Sequence, residues 1–241
     1  MVSQDETSQT LHKRYRLATA LALAFTIALG IASPATADTT YNPPSGTWNG
    51  KIIYVSQACH DGNDGTPGGP CIPNMGCMSF NENTQSSTTA ATTIFGVGTG
   101  ANLLERGYRA VRGTGTVNQN IANSNAAGAH IHIPLHTNAP GGSWTCSNTT
   151  TSNKGTLVMY VSTNGSNCST RLVNRVGPAS PGTNDVKAYR TNLGELNSTN
   201  AVACYLEAEY HTWNIGVTWI RDEVNWTYRI GWAIDEYLGY P

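Results

Sequence analysis

Charged residues are scarce in this 241-residue chain, where Asp, Glu, Lys and Arg together make up 12%. The two signs nearly cancel, 14 basic against 15 acidic, so no basic field exists to hold nucleic acid. No internal repeat is visible, and no second domain is evident. Long apolar runs are missing as well, with one exception, Leu17 to Ile31. That run holds 15 residues, short of the roughly 20 that cross a bilayer as a helix. Lys13, Arg14 and Arg16 precede it, and Ala35-Thr36-Ala37 follows as a small-residue cleavage site. Residues 1–37 therefore read as a secretory signal peptide cut before Asp38, the alternative being a membrane anchor. Removing them leaves 204 residues, enough for one domain with a substantial core. The mature part keeps 11 basic and 13 acidic residues.

All six cysteines (Cys59, Cys71, Cys77, Cys146, Cys168 and Cys204) lie in the exported part. An even count outside the cell favours disulfides over a thiolate metal site. Six cysteines permit 15 pairings, of which a Cys146–Cys168 bridge closing a Gly- and Asn-rich hairpin is the preferred one.

Three of the six histidines fall within Ala129 to Ala139. Ile131, Ile133 and Leu135 alternate there with His130, His132 and His136, the period of a strand with two unlike faces. A strand advances about 3.3 Å per residue, which sets His130 and His132 roughly 7 Å apart and His132 and His136 about 13 Å apart. One ion does not reach all three, because imidazole nitrogens must come within about 2.1 Å of zinc. Pro134 suits the end of a strand, so His136 is expected where a loop begins, as one ligand of a composite site.

The rest of the chain alternates strand-like and helix-like stretches. Residues 38–50 are a polar lead-in. Lys51 to Ser56 is a β-rich run that empties into His60-Asp61-Gly62-Asn63-Asp64-Gly65, where His60 is either a presented ligand or a surface loop residue. Glu82 sits at a helix start, within a segment from Phe80 to Leu104 broken near Gly96 to Gly100; alone it reads as a partner of the helix dipole. Further strands are expected at 107–111, 156–162 and 186–191, and helices at 117–128 and 169–176. Ala201 to Tyr210 is a strong strand that turns Glu207 and Glu209 to one side, either as a carboxylate pair able to retain a proton or as a solvated edge. The aromatic tail, helical over Ile230 to Leu238, is expected to fill core. The pattern predicts a single α/β domain with a mostly parallel central sheet flanked by helices and stabilised by disulfides.

Four short motifs in this order resemble the zinc-dependent N-acetylmuramoyl-L-alanine amidases that cut peptidoglycan. A strand leads to His60, Gly62 and Asp64; Glu82 and Asn83 stand at a helix start; Ala122-Asn123 precedes a strand ending His136-Thr137-Asn138; and a strand ends in Leu206-Glu207 with Tyr210 three positions on. The likeness spans about Lys51 to the C-terminus, making 51–241 the catalytic domain. There are departures: Cys59 and Asp61 replace glycines, Cys71 to Cys77 is an insertion, Glu209 stands where a small residue is common, and Arg112 is the nearest counterpart of the family's arginine.

The resemblance implies that His60, Glu82 and His136 hold one zinc ion and that Glu207 is the general base, with Asn138, Glu209 and His211 as possible cleft residues. It also implies a secreted, cell-wall-associated monomer acting on the amide between the lactyl group of N-acetylmuramic acid and L-alanine. Its partner is peptidoglycan, with no nucleic acid and no membrane once the signal is removed. Two other readings stand beside it: another secreted zinc hydrolase using His130 and His132, and a non-catalytic wall-binding or structural protein holding glycan with its aromatic C-terminus.

Overall fold

The computed structural model of the chain describes residues 38–59, 71, 74–96, 102–149 and 153–240. The expected signal peptide, His60, Gly62 and Asp64 lie outside the described residues.

Runs of β-branched and aromatic residues form an eight-stranded sheet. Along its main path the order is β1 (Thr39–Tyr41), β5 (Arg109–Gly113), β2 (Ile52–Gln57), β6 (Ile131–Asn138), β10 (Tyr205–Tyr210), β7 (Leu157–Tyr160) and β8 (Val186–Tyr189). The short β9 (Val202–Ala203) joins β6 off this path. Pairing is parallel for β5–β2, β2–β6, β6–β10, β6–β9 and β7–β8, and antiparallel for β1–β5 and β10–β7. Residues 39–41 of the polar lead-in thus supply an edge strand. A two-stranded hairpin, β3 (Met75–Gly76) with β4 (Phe80–Asn81), stands apart from the main sheet.

Alternation along the strands divides the sheet into two faces. Ile53, Val55, Ile131, Ile133, Leu135, Leu206 and Ala208 pack into the main core. They meet Ala90 and Ile94 of helix α1 (Glu82–Phe95), Leu172 and Val176 of α3 (Thr163–Val176), and Ile230 and Ile234 of α5 (Tyr228–Leu238). On the opposite face Tyr54, Ser56 and His132 meet Asn120 of α2 (Val117–Ala126) and Glu195 of the four-residue α4 (Gly194–Asn197). Most of the aromatic tail behaves as expected of core: Trp226 is buried, and Trp219, Tyr237 and Tyr240 pack against the same cluster, whereas Trp232 is exposed.

Three expectations need correction. The disulfides are Cys59–Cys71, Cys77–Cys146 and Cys168–Cys204, not Cys146–Cys168. The segment expected to hairpin into Cys168 is the first part of α3, begun by Ser162, whose side chain caps the amide of Gly165; Cys168 therefore faces the sheet and meets Cys204. Pro134 does not end its strand, because β6 runs on to Asn138. Nor is 201–210 one unbroken strand. Its ladder is divided at Cys204, between β9 and β10, opposite the position where Pro134 supplies no amide.

Candidate active site

Strands β2, β6 and β10 run parallel and end side by side, the edge at which α/β folds gather functional groups. Helix α1 is pinned to that edge by Ser86. Its hydroxyl donates to the carbonyl of Leu135 (2.7 Å) and accepts from the amide of Ala58 (2.7 Å), tying the ends of β6 and β2 to the helix's first turns. Arg112 adds a second tie, donating to Gln57 Oε1 (2.6 Å) and to the carbonyl and hydroxyl of Ser87 (2.9 and 2.6 Å). The side chain of Asn81 caps α1 by accepting from the amide of Thr84 (3.1 Å). Glu82, the next residue, then lies in the first turn, where the helix dipole favours a carboxylate.

This geometry delivers Glu82 to His136. Their side chains are 0% and 4% exposed, and His136 Nδ1 stands 3.7 Å from Glu82 Oε1. Glu82 Oε1 also accepts the amide and hydroxyl of Thr137 (2.5 and 2.8 Å). The His136 ring stacks on Tyr205, centroids 4.5 Å apart. Tyr205 is itself driven well above the ordinary tyrosine range, first by burial and then by the charges of Glu195, Glu207 and Glu82, which marks the concentration of carboxylates around it. Glu207 is directly paired with His136 in the parallel β6–β10 register. Of the four residues expected in the centre, the side chains of Glu82 and His136 meet, and Glu207 faces His136 in strand register. The fourth, His60, is outside the described residues, three positions after the end of β2.

The pair passes a test of fit for zinc. Donor atoms about 2 Å from one ion lie roughly 3 to 4 Å from each other, and an imidazole nitrogen with a carboxylate oxygen is a donor set that catalytic zinc accepts. Among the described residues no group of three His, Cys, Asp or Glu side chains is placed to hold a metal, so a full site needs a ligand from outside them.

The remaining expected site residues have defined surroundings. His211 is buried, with Nδ1 2.9 Å from the Thr137 hydroxyl. The carbonyl of Asn138 accepts from the amide of His211 (2.9 Å). Glu209 is buried where a register shift between Glu207 and Tyr210 interrupts simple alternation, and it accepts hydrogen bonds from Ser180 and from the amide of Gly182 (3.1 Å). Burial pushes its carboxyl up, against the pull of those bonds. His130 Nδ1 accepts from the amide of Ile52 (3.2 Å). His132 Nε2 lies 3.1 Å from Glu195 Oε1, and its ring stacks on Tyr54. Both strand histidines are thus engaged structurally.

Glu195 is the residue sequence reasoning missed. It is buried, accepts from Ser56 Oγ (2.5 Å), and Ser56 in turn accepts from Asn120 Nδ2 (2.8 Å). Burial alone would raise its carboxyl. The His132 bond, the charges of His132 and His136, and the Ser56 hydroxyl outweigh burial and hold it below the usual range. A signal did exist. Tyr54 and Ser56 put polar groups into an otherwise apolar buried strand, and such groups must find partners.

No family model matches the chain, and no curated protein sequence does. Solved structures do match. The catalytic domain of CwlV, an N-acetylmuramoyl-L-alanine amidase from Bacillus (Paenibacillus) polymyxa var. colistinus, is similar at 16% identity over 79% of this chain and 99% of that one, with a TM-score of 0.60. The catalytic domain of the CD27L endolysin, which targets Clostridia difficile, is similar at 17% identity over 79% and 98%, with a TM-score of 0.58. The N-acetylmuramyl-L-alanine amidase Ami1 from Mycobacterium smegmatis is similar at 14% identity over 79% and 97%, with a TM-score of 0.60. The chain has the fold of N-acetylmuramoyl-L-alanine amidase catalytic domains.

Proposed function

We propose that this protein is an exported amidase that hydrolyses the bond between the lactyl carbonyl of N-acetylmuramic acid and the amine of L-alanine in peptidoglycan. The carrying observation is the meeting of Glu82 with His136, 3.7 Å apart, where Glu207 pairs with His136 at the C-terminal edge of a sheet of this fold. Export is supported by the N-terminal charge and hydropathy pattern and by three disulfides, which suit an oxidising compartment.

In this reading His60, Glu82 and His136 hold one zinc ion. When bound, zinc lowers the pKa of a coordinated water towards about 7 and polarises a carbonyl. Glu207 takes the proton of the attacking water as oxygen adds to the lactyl carbonyl carbon. It then gives that proton to the alanine nitrogen as the C–N bond breaks, leaving a free amine on the peptide and a carboxylic acid on the glycan side, which ionises to the medium. Tyr205, stacked on His136, shields one side of the imidazole from water.

Purified, fully oxidised protein incubated with peptidoglycan should release new N-terminal alanine amines, and a chelator should stop the release. Wall affinity without any amine release would replace this reading with a non-catalytic one.

A further inference from the structure

Glu82 is not held by its own helix alone. Its Oε1 takes two hydrogen bonds from a single residue, the amide (2.5 Å) and the hydroxyl (2.8 Å) of Thr137, next in sequence to His136. A hydroxyl that gives its only proton to a carboxylate has lone pairs left to accept. The atom in position to donate to them is Nδ1 of His211, 2.9 Å from Thr137 Oγ1. His211 is anchored on several sides. Its ring stacks on Phe80, centroids 5.5 Å apart and planes 6° from parallel. Its amide donates to Asn138 (2.9 Å), and its carbonyl accepts from the amide of Cys77 (2.9 Å). The hairpin approaches so closely that a Cβ at Gly76 would lie 2.3 Å from the His211 carbonyl oxygen.

We infer that Thr137 and His211 are positioning residues for Glu82: a directed relay, His211 Nδ1–H to Thr137 Oγ1–H to Glu82 Oε1, that fixes which way the proposed ligand carboxylate faces. The inference rests on the zinc reading above. It adds to that reading two residues that carry no ligand or base role themselves. Hydroxyl direction, not bulk, is what the relay needs. Outer partners of this kind typically change metal affinity about 10- to 100-fold when removed.

The test is zinc affinity of the full mature chain, read by competition with a chromophoric chelator, with circular dichroism confirming the fold of each variant. Thr137→Val keeps the shape and deletes the hydroxyl, and Thr137→Ser restores it. His211→Phe keeps the stack on Phe80 and deletes the donor, and His211→Asn returns an N–H near the Nδ1 position. The expected result is binding about 10- to 100-fold weaker in Thr137→Val and His211→Phe, with recovery in Thr137→Ser and His211→Asn. Wild-type affinity in Thr137→Val, or a Thr137→Ser variant as weak as Thr137→Val, would overturn the relay while leaving the amidase reading intact. A wild-type chain that binds no zinc would overturn both. If Thr137→Val does not fold, the His211 pair makes the same comparison.

Discussion

Glu207 lies directly across from His136 on the neighbouring parallel strand, although 71 positions separate them in the chain. Parallel pairing sets both within three residues of the C-terminal ends of their strands, and Glu82 comes to that edge on α1. In the proposed reading, a base and a ligand fixed by backbone register have little freedom to drift.

Replacing Glu207 with Gln keeps the shape and removes the proton acceptor. Amine release from peptidoglycan should fall about a hundred- to ten-thousand-fold. Zinc content, measured by elemental analysis, should not change. Activity close to wild type would move the base elsewhere.

Removing the metal should silence the protein reversibly. Dialysis against a chelator abolishes hydrolysis in the proposed reading, and added zinc restores it. Glu82→Ala should lose stoichiometric zinc under the same conditions. A chelated protein that still released alanine amines would remove zinc from the mechanism.

The His132–Glu195 pair predicts a pH-dependent contribution to stability. Its carboxyl is held low in the folded state because His132, His136 and Ser56 overcome the effect of burial. A carboxyl depressed on folding contributes stability above its unfolded value and loses it as pH falls through the folded value. Glu195→Leu should therefore cost about 1–3 kcal/mol near neutral pH, since it leaves the buried His132 Nε2 and Ser56 hydroxyl without their partner. The gap from wild type should shrink as pH falls below the usual carboxylate range. Urea unfolding at several pH values reads this directly, and a constant gap would contradict it.

The Cys77–Cys146 bridge spans 69 positions and joins the segment before α1 to the loop after β6. Removing it with paired serines frees a long loop in the unfolded chain, a loss of about 4 kcal/mol by loop-closure entropy. Thermal or urea denaturation under non-reducing conditions measures the difference.

Periodicity made the central strand legible, since Ile131, Ile133 and Leu135 alternate with histidines as buried and polar faces require. The order of the short motifs singled out Glu82, His136 and Glu207, and the structure brings Glu82 to His136 and pairs Glu207 with it in register. What escaped depended on approach between distant segments. Glu195 sits in a helix of four residues, too short for any period, and gains its role from His132, 63 positions away. The cysteine pairing escaped because the start of α3 carries Gly165 and several polar residues, which resemble a loop until Ser162 caps them into a helix. Pro134 misled for a different reason. The rule that proline ends a central strand assumes a continuous neighbour, and here the neighbour is itself divided at Cys204.

The Cys59–Cys71 bond draws a ring around the segment that contains His60, with 12 positions between its ends. In the proposed reading, sulfur oxidation and ion capture act on the same stretch of chain, since the bond closes a loop that carries His60 and the ion is held by His60. The two events are then thermodynamically reciprocal: an occupied centre makes the bond harder to reduce, and an intact bond tightens the grip on the ion by the same factor.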